Sequence, residues 1–322
     1  MRYLAGERPA LSGRTRTGET GRMAEQILRL SRCRKRVLKS AEIREDRMGV
    51  EKKYRDLLQI LKKKERLAVA FSSGVDSTFL LYAAYEALGK QVLALTAVSE
   101  FFPGREREEA SAFCREHGIR QLVVEFSPLT LEKVSQNPKD RCYLCKRAMF
   151  ERLIALSKEQ GYDTVAEGSN LDDQNDYRPG MRAIRELGVM SPLEEAGLYK
   201  ADIRRLSKGF GLPTWDKPSF ACLASRFAYG ESITAEKLGM VEQAEDFLLR
   251  EGFSQFRVRV VQPAAGGSPS ARIEILPDEF SLLMEKDVKR RVAEKLHSLG
   301  FSYVSMDLDG YRMGSMNEDH GK

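Results

Sequence analysis

The chain has one tryptophan and three histidines in 322 residues, and its five cysteines follow no repeated spacing. His117, His297 and His320 sit away from any metal-ligand spacing, and there is only one CxxC. A four-ligand zinc site is therefore hard to assemble from Cys and His. No apolar run approaches the length of a bilayer span, and no signal peptide with an apolar h-region is present. A cytoplasmic chain without membrane contact is the expectation. Its cysteines then read as reduced thiols, available for metal or catalysis rather than for disulfides. Gly-Lys-Ser/Thr and GxGxxG are missing too, so any phosphate site here is neither a Walker A loop nor a dinucleotide fingerprint.

A basic body is also absent, despite a formal charge of +6. Residues 1–47 hold 13 Lys/Arg against 6 Asp/Glu, a net of +7, which leaves −1 for the rest. No nucleic-acid partner is expected, because that reading needs a basic face on the folded part. The leader is rich in Arg, Gly, Thr and Ser up to residue 22, and Ala24–Arg44 reads as a short basic helix. Three readings of 1–49 compete: a disordered tail, a basic interaction arm, and translation assigned from a start too far upstream, with Met48 as the natural one. The dispensable readings are preferred.

From residue 50 the pattern alternates helix and strand. Tyr54–Lys64 is amphipathic. Leu67–Phe71 and Val92–Val98 read as strands, with a helix after Ser77. A helix over Arg105–His117 and a strand over Gln121–Phe126 follow. Next come a helix over Cys142–Gln160, a fourth strand over Thr164–Gly168 and a short fifth over Val189–Leu193. Lys200–Phe210 is a helix that ends at Gly211. This is an α/β pattern with a parallel, Rossmann-like sheet, helices on both faces, and ligands at the carboxyl ends of the strands. The character changes near Gly230. Thr234–Glu251 is an amphipathic helix, Phe256–Val261 and Ala271–Leu276 are strands, Asp278–Leu299 is helical with a break, and Tyr303–Leu308 is a strand. The expected organisation is a 1–49 extension, a 50–229 nucleotide domain and a smaller 230–322 α+β domain for substrate or oligomerisation.

Ser72-Ser73-Gly74-Val75-Asp76-Ser77 is the most informative stretch. It lies between a buried strand and a helix, where backbone N–H groups at a helix N-terminus bind phosphate. Gly74 lets the backbone come close to an anion, and the hydroxyls of Ser72, Ser73 and Ser77 can donate to it. Thr96, Gly168 and Asn170 would lie at neighbouring strand ends. The pattern resembles the PP-loop, Ser-Gly-Gly-x-Asp-Ser, of ATP pyrophosphatases, with Ser73 in place of the first Gly. An ordinary Ser/Gly turn is the competing reading.

Cys142 and Cys145 form the CxxC, which alone could be a redox pair, a zinc or cluster half-site, or chance. Cys222 stands out in Lys217-Pro218-Ser219-Phe220-Ala221-Cys222-Leu223-Ala224-Ser225-Arg226. Three thiolates would suit an iron–sulfur cluster with one iron left open. Cys222 could equally be a buried small hydrophobe. Cys33 and Cys114 are assigned to that bland reading. Arg257 and Arg259 lie two apart, on one face of a strand whose valines face the core. They are either a solvated polar face or a phosphate clamp. Ser225 and Arg226 are further candidates to hold phosphate or adenylate. Glu274 is either a strand-surface acid or a metal-site acid.

Asp176-Tyr177-Arg178-Pro179-Gly180-Met181, Ser191-Pro192-Leu193, Leu212-Pro213-Thr214-Trp215-Asp216-Lys217-Pro218, Ala221–Arg226 and Gly310-Tyr311-Arg312-x-Gly314-Ser315-Met316-Asn317-Glu318 together resemble the LarE family. These are ATP-dependent sulfur transferases that help build the nickel-pincer nucleotide cofactor of lactate racemase. The resemblance covers roughly residues 50–318. It implies ATP and Mg²⁺, and as substrate pyridinium-3,5-biscarboxylic acid mononucleotide. It also favours the clamp reading of Arg257 and Arg259. The family has two sulfur strategies. One sacrifices a cysteine, at the position of Cys222. The other binds a [4Fe-4S] cluster through three cysteines, which here would be Cys142, Cys145 and Cys222, and carries a transferable sulfide. The CxxC points to the second, with sulfide or another sulfur donor as co-substrate. A homo-oligomer is expected. Competing functions are a tRNA-thiolating PP-loop enzyme, a PP-loop amidating synthetase and a binding module without chemistry.

Overall fold

The computed structural model describes residues 48–175, 179–218, 220–264 and 266–312. The expectations attached to residues 1–47, to Asp176–Arg178 and to Gly314–Glu318 fall outside these. The chain divides into Met1–Lys52 and a second compact unit, Lys53–Lys322, which carries both sheets.

Helix α1, whose part in this unit covers 53–62, leads into β1 (Leu67–Ala70). The chain continues through α2 (Val75–Leu88), β2 (Val92–Val98), α3 (Gly104–Glu116), β3 (Arg120–Glu125), the short α4 (Glu132–Ser135), α5 (Arg141–Glu159) and β4 (Val165–Ala166). These strands form one parallel sheet in the order β3-β2-β1-β4. β1 and β2 are near-continuous apolar runs because both faces of the sheet are covered. Leu67, Val69, Val92 and Ala94 pack on one side with Leu57, Leu61, Phe79, Leu80 and Phe113. Ala68, Leu93 and Leu95 pack on the other with Phe150, Leu153 and Ile184.

The expected fifth strand over Val189–Leu193 is a correction. Only Met190 bridges to Ala166, and at Pro192 the chain turns into α7 (Pro192–Glu195). Proline lacks the N–H a ladder needs and suits the first turn of a helix. The fourth strand shrinks to two residues. A helix the periodicity did not mark, α6 (Pro179–Glu186), packs against α5, and α8 spans Lys200–Gly209.

A mixed three-stranded sheet follows, ordered β5 (Phe256–Val261), β6 (Ser270–Ile275), β7 (Val304–Met306). α9 (Ala235–Arg250) and α11 (Lys286–Ser298) cover it, with the short α10 (Phe280–Met284) before α11. Phe256, Val258 and Val260 alternate inward onto Leu238, Val241, Val292 and Leu296. Phe101 and Val134, from connections of the first sheet, join the same core, as do Leu223, Ala224 and Phe227. The segment carrying Cys222 is thereby anchored between the two sheets, and Leu223 N donates to Phe101 O at 2.8 Å.

Candidate active site

β1 pairs with β2 on one side and with β4 on the other, so the strand order reverses at β1. In open α/β sheets ligands bind in the crevice outside the carboxyl ends of the strands at this point. Ser72–Ser77 occupies it. Gly74 is the N-cap of α2 and offers no side-chain cap, so the first-turn N–H groups remain for an anion. Ser72 Oγ and Ser77 Oγ lie 3.2 Å apart, and Ser77 Oγ also accepts from Ser72 N at 3.3 Å. Gly74 has φ −76°, which any residue can adopt; its use is space, since a Cβ would lie 3.5 Å from Ser72 Oγ and fill the cradle.

Ser73 departs from the expectation. Its hydroxyl points away from the cradle, toward Glu106 O at 3.1 Å and Glu109 Oε2 at 3.3 Å. Its φ is +53°, in the left-handed region, which costs a non-glycine residue about 1–2 kcal/mol. Lys217 Nζ donates to Ser73 O at 3.1 Å and pairs closely with Glu109.

Val75 is buried in the first turn of α2. Asp76 Oδ2 pairs closely with Lys200, at the start of α8, while Oδ1 is buried and has no hydrogen-bond partner. Burial raises the Asp76 carboxyl above its usual range, opposed by Lys200. Gly168 lies directly against this loop. A Cβ there would sit 3.0 Å from Ser77 N and 3.2 Å from Asp76 C. Gly168→Ala is therefore expected to push the β4 end off the loop, costing roughly 1–3 kcal/mol by overpacking and weakening ATP binding. Thermal melts with and without Mg·ATP would read both effects; an unchanged melt and affinity would show that the approach is not tight. Asn170 Oδ1 accepts from Asp172 N at 3.0 Å and shapes the loop after β4. Thr96 is buried within β2, its hydroxyl accepting from Gln121 Nε2 at 2.9 Å.

The cysteines gather at a second centre. Cys142 and Cys145 lie one turn apart at the start of α5, and Cys222 precedes a short 3-10 turn, Leu223–Arg226. Burial pushes the Cys145 thiol up to about 12, with Cys222 and Cys142 adding to the shift. Burial likewise raises Cys142, helped by Cys222 and opposed by Arg141. Cys145 and Cys222 both pack against the core of the second sheet. Arg141 ties the two segments together: its Nη1 donates to Ala224 O at 2.8 Å and its Nη2 reaches Cys142 Sγ at 3.8 Å. Among the described residues, no three His, Cys, Asp or Glu side chains are arranged to close on a single metal ion. Cys114 is a buried core residue, its thiol pushed up to about 12 by burial, as its bland assignment expects.

Beside Cys222 lies a buried arginine cluster. Arg226 is 1% exposed and makes a two-pronged pair with Glu245, both contacts 2.7 Å. Its Nη1 donates to Ala221 O, Cys222 O and Ser225 Oγ. Every nitrogen of Arg226 is thus engaged inside the protein. It shapes the Cys222 loop from within. Arg257 and Arg259 are buried too, which removes the solvated-face reading. Arg259 holds Glu274 at 2.8 and 3.0 Å and donates to Ser225 O. Glu274 is buried rather than on the strand surface, and both its oxygens accept from Arg259. Burial, with Arg226 second, pulls Arg257 down to about 10. Phe220 lies under both Arg257 and Arg105, at 5.9 and 5.1 Å from the ring centroid.

Lys200, Lys217, Arg141, Arg105 and Glu245 were not singled out in the sequence. Lone charged residues carry no periodic signal, and each of these has a partner 19 to 144 positions away.

A parallel sheet with the Ser72–Ser77 strand–loop–helix at its switch point has the architecture of a PP-loop ATP pyrophosphatase. No family model matches the chain. It is 39% identical over 83% of its length to an uncharacterized protein of Synechocystis sp., covering 98% of that protein. It is 36% identical over 81% of its length to the pyridinium-3,5-bisthiocarboxylic acid mononucleotide synthase of Lactiplantibacillus plantarum, covering 92% of that enzyme. An uncharacterized protein of Methanocaldococcus jannaschii is 28% identical over 78% of the chain, 92% of its own length. The chain belongs to the LarE family, the family of the Lactiplantibacillus synthase, and is an ATP-dependent sulfurtransferase.

Proposed function

We propose that this enzyme adenylates a carboxylate of pyridinium-3,5-biscarboxylic acid mononucleotide and converts it to a thiocarboxylate, in nickel-pincer cofactor synthesis for lactate racemase. One observation carries the reading: the segment from Leu212 to Phe227 touches the phosphate loop through Lys217, is tied to the CxxC helix where Arg141 donates to Ala224 O, and ends in the arginine cluster. Activation, sulfur delivery and anion binding thus meet on one stretch of chain. The name of the Lactiplantibacillus relative supplies the substrate class.

A carboxylate is a poor electrophile because its oxygens leave poorly. Transfer to AMP forms an acyl adenylate and releases pyrophosphate; a sulfur nucleophile then displaces AMP. The first-turn N–H groups of α2, with Ser72 and Ser77, hold the phosphates. Asp76, with its unpartnered buried Oδ1, is fitted to hold Mg²⁺, which neutralises charge on the leaving pyrophosphate. Gly168 and Asn170 close the nucleotide side, and Thr96 ties β2 to Gln121 of the edge strand β3. Arg257 and Arg259, with Ser225, receive the substrate phosphate, a reading supported by two buried guanidiniums on one strand beside the Cys222 segment, since guanidinium forks suit phosphate oxygens. Cys142, Cys145 and Cys222 would be the three thiol ligands of a [4Fe-4S] cluster, a reading supported by the one-turn spacing of the first two and by Arg141, which joins their helix to the Cys222 segment. Such a cluster leaves one iron open for a transferable sulfide. Residues 50–229 serve as the nucleotide half and 230–322 as the substrate half.

The test is anaerobic purification with iron and sulfide quantification, then an assay with ATP, the biscarboxylate mononucleotide and sulfide. Thiocarboxylate with matching AMP and pyrophosphate is expected. RNase-sensitive bound material with thiolated tRNA, or an ammonia-dependent amide product, would replace this reading with the corresponding PP-loop activity.

A further inference from the structure

Position 73 holds a serine where the PP-loop pattern has glycine, and the backbone keeps a glycine's conformation there, at φ +53°. That conformation is disfavoured for a residue with a Cβ, so something must hold it. The surroundings supply a tether. Lys217 Nζ donates to Ser73 O at 3.1 Å and Ser73 Oγ at 3.4 Å, and pairs with Glu109, whose Oε2 also lies 3.3 Å from Ser73 Oγ. Lys217 is itself held: Arg204 donates to the carbonyls of Trp215 and Lys217, both at 2.8 Å, and Lys208 lies 4.2 Å from the Trp215 ring centroid.

We propose that Lys217 is the positioning residue of the phosphate loop, replacing with a tether the conformational freedom that glycine would have provided at position 73. The proposal rests on the assignment of Ser72–Ser77 to ATP. It has a consequence for order: because Lys217 lies five residues before Cys222, the shape of the ATP cradle depends on the segment that delivers sulfur being in place. Lys217 acts through Ser73 and does not touch the reacting atoms.

A double-mutant cycle separates this role from a direct charge on phosphate. Mg·ATP affinity is measured by calorimetry for wild type, Lys217→Met, Ser73→Gly and the pair. Native-state hydrogen exchange of the 72–78 amides is measured on all four. Lys217→Met should weaken ATP binding at least tenfold and speed exchange of the loop amides when Ser73 is present. In the Ser73→Gly background the same change should cost less than threefold and leave exchange nearly unaltered. An equal loss in both backgrounds would mean that the lysine acts as a charge on the phosphate, and would overturn the tether. An unchanged Lys217→Met would overturn it as well. If the wild type bound no ATP, the site assignment would fail, and the tether would still be judged by the exchange data. Lys217→Gln replaces the methionine variant should that one not fold.

Discussion

Cys222→Ala should still release pyrophosphate from ATP in the presence of the biscarboxylate substrate, yet form thiocarboxylate at least about 10³-fold more slowly, the scale expected when a reacting group has no substitute. The two halves of the reaction lie on different elements. Phosphate is held by the β1–α2 loop, whereas sulfur comes from the loop that leads into the Leu223–Arg226 turn. The fold should tolerate the change, because Cys222 is only partly buried and the loop is held by Arg226 and Arg141 through backbone carbonyls. Pyrophosphate release and product formation are followed in parallel. Product formation close to wild type would remove Cys222 from the chemistry. Mass spectrometry of the wild type after one turnover then separates the two sulfur routes: loss of about 34 Da from Cys222, one H₂S, marks the residue itself as donor. An unchanged mass through many turnovers with added sulfide marks the cluster route.

Gly74→Val should abolish ATP binding, by at least about 100-fold, or some 2.7 kcal/mol, while the protein melts nearly as before. The backbone at 74 is extended and a Cβ meets nothing closer than 3.5 Å, so the fold has no objection to a side chain. The obstruction falls on the anion, because the new side chain covers the two hydroxyls, its Cβ lying 3.5 Å from Ser72 Oγ and 3.9 Å from Ser77 Oγ. Calorimetric titration with Mg·ATP, beside a thermal melt, checks both halves. Wild-type affinity in a folded Gly74→Val protein would take the phosphate site away from this loop.

The nucleotide side was legible because it is local. Leu67–Ala70 and Val92–Val98 are apolar runs of strand length, and Ser72–Ser77 sits between one of them and a helix. The break expected in the 278–299 helical stretch falls at Glu285. The substrate side was harder. The alternation of Arg257 and Arg259 reads as a polar outer face, and only the cross-strand neighbour Glu274 and the loop carbonyl of Ser225 show that the face is buried. Arg226 reads as a free cation until Glu245, 19 positions on, is brought beside it by α9. The fifth strand failed for a local reason that outweighed its apolar character, the proline at 192.

The pairing of β1 with β4 sets the order in which the molecule can assemble. Leu67 meets Val92 across 25 residues, but Ala68 meets Val165 across 97. Closing the longer loop costs about 1 kcal/mol more in chain entropy, and its reward is a ladder of only two residues. The pairing of β1 with β2, and of β2 with β3, can therefore precede that of β4 on the folding pathway, and the β4 edge is the first part of the sheet to fray. The nucleotide crevice lies along that seam. ATP bound there bridges the early and late parts of the sheet, so nucleotide should slow unfolding more than it speeds folding.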